Sequence, residues 1–257
     1  MDKRNLNLIL ICSLLLNISI FYVGYKALEY RGHINHFLDK YTNVVNEFSG
    51  RDYFEEANKT FVTQKQNENS VVLFGTQVIA NWHIDDSSSS FQFINRGLPH
   101  QRLAGYLLRF KPDVLDLKPR YVLIEVSSYN FRAQHTVQEI KDYVSSLAEL
   151  ADYHQIKPIL TTVIPLRDDA KDSVDTFDDY VYYPVMDSLQ FYNKWLKKYS
   201  DDNNFIYLDF NRLLSDSNGF LRHEYSSSLL DLNDKGYDVI TQDLLRLLMN
   251  NKETLKK

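Results

Sequence analysis

The first pattern along the chain is an uncharged run. From Leu8 to Tyr25 the residues read LILICSLLLNISIFYVGY, with Asp2-Lys3-Arg4 ahead of them and Lys26 behind. A bilayer is spanned by about 20 apolar residues, a length the run reaches when extended to Leu6 and Ala27. Tyr22, Val23 and Tyr25 stand where a signal peptidase requires small side chains, so residues 1–27 are expected to be an uncleaved signal anchor. Cys12 follows Leu10-Ile11 rather than small residues, which argues against a lipoprotein anchor. If Lys3 and Arg4 dominate the charge balance, the body of the protein faces away from the cytoplasm, in a periplasmic or extracellular space.

Behind the span, Ala27, Tyr30, Ile34, Phe37, Tyr41, Val44 and Phe48 recur at alternating steps of three and four, the seam pattern of a coiled coil. The seam fits a stalk helix packed on its own domain and also a homo-oligomer joined through the stalk. Ser49-Gly50-Arg51-Asp52 ends it, and a polar stretch from Thr63 to Asn69 completes a stalk and linker over 28–69.

From Ser70 the period changes. Short apolar runs at 71–75, 91–95, 121–126, 158–164 and 205–210 read as buried strands. Helical spacing fills 101–110, 137–154, 185–199 and about 234–249. Strands alternating with helices predict a flavodoxin-like three-layer α/β/α sandwich of about five parallel strands over 70–251, with ligands at the carboxyl ends of the strands. Residues 252–257 are a polar tail.

The 257 residues allow one medium domain with an appendage. A net charge of -5 argues against a nucleic-acid partner. A single cysteine, Cys12, rules out an intramolecular disulfide and any cysteine-based metal cluster.

The strand ends carry a resemblance. VVLFGTQVIANW, NRGLPHQRLAGYLLRF, KPRYVLIEVSSYNF and SLLDLNDKGY resemble, in order, four blocks of the SGNH (GDSL-type) hydrolase superfamily. Gly75, Trp82, Asn95, Arg96, Gly97, Arg109 and Phe110 match, as does the ending LNDKGY. The resemblance implies the SGNH-hydrolase fold and, in active members, a serine that attacks an ester, a histidine base, an aspartate that orients it, and oxyanion donors. Gln77 stands at the serine position, Asp231 at the histidine and Ser228 at the aspartate. An amide is no nucleophile near neutral pH, and a carboxylate is a far weaker base than imidazole. Gly97 is expected to survive as an oxyanion donor, and the block-three asparagine falls on Tyr129 or Asn130 according to register.

The expectation is therefore a membrane-anchored SGNH-like protein without ester hydrolysis by the family mechanism, with no catalytic residue, cofactor or metal. Gln77, Gly97, Asn130, Ser228 and Asp231 would form a ligand site in a binding or assembly protein of the cell envelope, for an acylated glycan or a protein partner. Two other readings stand beside it. One is an active esterase, O-acetyl-transfer or deacetylation enzyme with relocated residues, drawing on Ser127, Ser128, His83 or His100. The other is a structural subunit of a membrane complex. His83 with Asp85 and Asp86 lacks a recognised metal-ligand spacing. The acidic and then aromatic stretch from Asp168 to Pro184 reads first as a solvated loop whose tyrosines pack on the domain, and second as a lid.

Overall fold

The computed structural model describes residues 3–63, 68–85, 87, 89–132, 136–172 and 179–254. The chain divides into two units, Met1–Glu47 and Phe48–Lys257. The first consists of helix α1, Lys3–Ser49, which runs on past the unit boundary to Ser49. Within it, Asn7–Leu38 is long and apolar enough to cross a membrane, and none of its most apolar window is buried. Asn17 Nδ2 and Ser19 Oγ donate to the carbonyls of Ser13 and Leu15, so both donors are turned back onto the helix. The seam residues 41, 44 and 48 have side chains outside the described set.

Gly50, with φ +53°, ends α1 in the left-handed region. The positive φ is what favours glycine there; a Cβ would also meet the side-chain ends of Leu98 and Gln101, which would have to move aside. Helix α2, Glu55–Thr63, then buries Asn58 and Phe61. The segment expected as linker up to residue 69 thus divides, because its part from Phe48 onward belongs to the compact domain.

Five parallel strands make the sheet: β1 Ser70–Gly75, β2 Gln92–Gly97, β3 Tyr121–Ile124, β4 Lys157–Thr161 and β5 Ile206–Leu208, in the order β2-β1-β3-β4-β5. Alternate residues face opposite layers. Val72, Phe74, Val122, Ile124 and Leu160 pack under helices α4 (Leu103–Asp113), α6 (Val137–Tyr153) and α7 (Asp179–Asp202). Val71, Leu73, Leu123 and Ile159 pack under α3 (Gln77–Ala80), α8 (Phe210–Leu214) and α9 (Asp234–Thr254), which bring Ile79, Phe210, Ile240 and Leu244. Thr136 opens α6 with a reciprocal capping box to Glu139. The aromatic half of the Asp168–Pro184 stretch corrects the loop reading: residues 179–184 form the first turns of α7. Residues 173–178, and the side chains of Tyr180, Tyr182 and Tyr183, lie outside the described set.

One buried polar network ties α2 to the sheet. Arg96 Nε donates to Asn58 Oδ1 at 2.8 Å, Asn58 Nδ2 to Asp113 Oδ1 at 2.7 Å, and Arg109 Nη1 to Asp113 Oδ2 at 2.9 Å. Asp113 thus pairs directly with Arg109 and through Asn58 with Arg96, and the Phe54 ring lies 4.9 Å from the Arg96 charge. Arg109 also reaches the carbonyls of Arg96 and Gly75, so the network ends at the last residue of β1.

Candidate functional site

The sheet order reverses between β1 and β3, and in doubly wound sheets a crevice opens there beyond the strand ends. The segments leaving these two strands supply Gln77 and Tyr129 to a cleft of about 290 Å³. His100, from the β2–α4 connection, and Asp231, ahead of α9, close it. Ser127 and Ser128 line the same cleft, followed by α5, Ser128–Arg132.

Each wall has a local cause. Gln77 opens α3, and its Nε2 donates to Asn81 Oδ1 at 2.8 Å, one helical turn on. Ser228 Oγ donates to Asp231 Oδ2 at 2.8 Å and accepts the Asp231 N–H at 3.1 Å, a local turn that fixes the carboxylate. Asp231 is held against α3 through α9: Tyr237 Oη donates to the Val78 carbonyl at 3.0 Å, and Trp82 Nε1 donates to Thr241 Oγ1 at 2.8 Å.

Beneath the cleft lies a carboxyl group that the sequence reading passed over. Glu125 is buried and receives the Thr76 N–H at 2.7 Å and the Thr76 hydroxyl at 3.0 Å, both on Oε2. Burial pushes its pKa up to about 7, against the lowering effect of the two Thr76 hydrogen bonds. The signal was the single charge inside YVLIEV, which a hydrophobic-run reading absorbs into the strand. The Ser127 hydroxyl is also buried and has no hydrogen-bond partner among the described residues.

The five residues expected to form the site separate into two groups. Gln77 and Asp231 line the cleft, and Ser228 is bonded directly to Asp231. Gly97 and Asn130 do not line it. The Gly97 N–H donates to Asn95 Oδ1 at 2.9 Å, and Gly97 borders a different cavity of about 450 Å³ with Tyr53, Phe54 and Asn95. Its lack of a side chain serves packing, since a Cβ would lie 2.1 Å from the Ala80 nitrogen. Asn130 is fully buried, accepting the Ser127 N–H at 3.0 Å and donating to the Gln101 carbonyl at 3.1 Å. Of the two block-three candidates, Tyr129 lines the cleft and Asn130 braces the turn behind it.

Other candidates lie elsewhere. His83 is exposed, its Nδ1 2.9 Å from the Asn81 carbonyl, and Asp85 accepts the Ser87 N–H; Asp86 is outside the described set. The ligand atoms of Asp168, Asp169 and His223 come within 4.8 Å of one another at the surface. There the imidazole already sits against Asp168, and Arg167 pairs with Asp169.

No protein-family model and no curated protein matches the chain. Solved structures do. A GDSL-like lipase from Bacteroides thetaiotaomicron superposes with a TM-score of 0.68 at 22% identity, over 79% of this chain and 99% of that one. A member of the lipolytic G-D-S-L family from Veillonella parvula gives 0.55 at 14% identity, over 69% and 96%. A catalytic mutant of an acetylxylan esterase from Geobacillus stearothermophilus gives 0.55 at 14%, over 72% and 96%. The chain therefore has the GDSL-type, or SGNH, hydrolase fold, joined to an N-terminal helix long and apolar enough to cross a membrane.

Proposed function

We propose that this protein is a membrane-anchored, non-catalytic member of the SGNH class, with its domain outside the cytoplasm and its cleft used for binding or assembly in the cell envelope. The observation that carries the reading is the Ser228–Asp231 hydrogen bond at the edge of a cleft whose nucleophile position is Gln77. That arrangement contains neither an activatable hydroxyl at the serine position nor an imidazole to take its proton. An acylated glycan is the ligand class in keeping with a fold neighbour that is an acetylxylan esterase. Protein in the membrane fraction should resist carbonate extraction, and purified full-length protein should turn over a short-chain aryl ester no faster than a heat-killed control.

A second reading has one observation in its favour. The Ser127 hydroxyl, unpaired among the described residues, shares the cleft with His100, whose φ of +56° is unusual for a residue with a side chain. Ester turnover lost in both Ser127→Ala and His100→Ala would make that pair a relocated catalytic centre and overturn the non-catalytic reading.

A further inference from the structure

The charge and hydrogen-bonding character of the cleft point to a class of ligand. We infer that the cleft binds a primary ammonium group, carried on a unit the size of one amino sugar or one amino-alcohol headgroup. The inference rests on the binding reading above and narrows its ligand.

Charge comes first. Asp231 puts a carboxylate into the cleft, and Glu125 places a second carboxyl group behind its floor at Thr76. Among the described residues neither lysine nor arginine lines the cleft. Where an imidazole would favour a developing anion, this site has a negative group, so anionic ligands are repelled and cations are favoured.

The hydrogen-bonding groups agree with the charge. An ammonium group has three N–H donors and no acceptor, so its site must supply oxygen acceptors. Asp231 Oδ2 accepts from Ser228, which leaves Oδ1 as an acceptor. Gln77 Nε2 is engaged by Asn81, which leaves its Oε1. The buried Ser127 hydroxyl, without a hydrogen-bond partner among the described residues, supplies a third oxygen. An uncompensated buried hydroxyl is destabilising, and a ligand that bonds to it recovers that free energy.

Size and walls set the rest. At about 290 Å³ the cleft is at the small end for ligand pockets. On one side the His100 and Tyr129 rings meet edge to face with centroids 5.6 Å apart, a wall suited to the apolar face of a sugar ring or to the methylenes next to an ammonium.

The test uses the full-length protein in a nonionic detergent at neutral pH, with glucosamine, N-acetylglucosamine and ethanolamine as probes in ligand-detected saturation-transfer NMR. Glucosamine should bind at least about tenfold more tightly than its N-acetyl counterpart, as loss of one charge pair implies. Asp231→Asn, which keeps an oxygen to accept from Ser228, should erase that preference while the unfolding temperature is unchanged. Asp231→Glu should restore part of it. If ethanolamine competes as well as glucosamine, the headgroup type of ligand is selected; if only glucosamine binds, the amino sugar is. Equal binding of the acetylated and free amines, unaffected by Asp231→Asn, overturns the ammonium assignment and leaves the binding reading intact. Absence of binding by both amines also overturns it. Aryl-ester turnover by the same samples, lost in Asp231→Asn, would instead overturn the non-catalytic reading beneath it.

Discussion

Ser228 donates its hydroxyl proton to Asp231 at 2.8 Å, so the two residues at the cleft edge are held to each other in one local turn. The proton runs from the hydroxyl to the carboxylate, and Gln77 offers nothing to deprotonate. Ser228 and Asp231 are thus a self-consistent polar pair.

Restoring a catalytic relay should be hard. Triad members act as a unit, so each single revertant among Gln77→Ser, Ser228→Asp and Asp231→His should show no aryl-ester turnover above background. The triple revertant should also stay far below an active enzyme, because the Gly97 N–H is held by Asn95 and Tyr129, rather than an amide side chain, lines the cleft beyond β3. Adding Tyr129→Asn to the triple revertant should give the first measurable turnover. Robust activity in the triple revertant alone would mean that the oxyanion donors were misassigned.

Glu125 should make stability depend on pH. Its pKa in the folded protein is about 7 against an ordinary 4.5, so between those values the folded state holds a proton that the unfolded state has lost. The stabilising contribution is fully present below about pH 4.5 and is lost as pH rises toward 7, a change of about 3 kcal/mol for a gap of this size. Urea unfolding across that range should show the decline, set against any opposing carboxylates, and Glu125→Gln should flatten this component. An identical pH profile in wild type and variant would remove Glu125 as its source.

Gly97→Ala tests close packing at the end of β2. The added methyl would meet the Ala80 nitrogen at 2.1 Å and the Ile79 carbonyl carbon at 2.6 Å, both backbone atoms that cannot rotate away. A cost of about 3 kcal/mol is expected from overpacking of this kind. A thermal melt within a degree or two of wild type would show that α3 shifts freely.

Asp113→Ala removes the one carboxylate between Arg96 and Arg109. Breaking a buried ion pair by taking away one partner costs about 3–5 kcal/mol. Arg109 reaches the Gly75 carbonyl, so amide exchange should quicken around the β1 end as well as in α2. Loss confined to α2 would show that the network does not stiffen the cleft floor.

Much of the fold was legible because strands buried on both faces read as continuous apolar runs and long helices keep their period. Helix α2 was not, since its nine residues bury only Asn58 and Phe61, and a polar side chain carries half of that signal. In the candidate site, Gln77 and Asp231 are legible through spacing within motif-like blocks. Glu125 is not, and Ser127 is legible only as a strand-end serine, because their character comes from burial, which a one-dimensional pattern does not encode. Gly97 and Asn130 lie away from the cleft for a related reason: a backbone N–H and a side-chain amide look available in sequence until their partners, Asn95, Ser127 and Gln101, are seen.

The clasp formed by Asn58 decides where this protein can be severed from its helix. A protease acting on the polar stretch between Thr63 and Ser70 would carry off a sheet deprived of Asn58 and of the Phe54 ring, leaving Arg96 Nε without its acceptor and the guanidinium without its aromatic cover. Cleavage before Gly50 would leave both in place, along with the tight fit of Gly50 against Leu98. Shedding of an intact domain is therefore confined to the helical side of Gly50, and the polar stretch that looks most like a hinge in the sequence is the wrong place to cut.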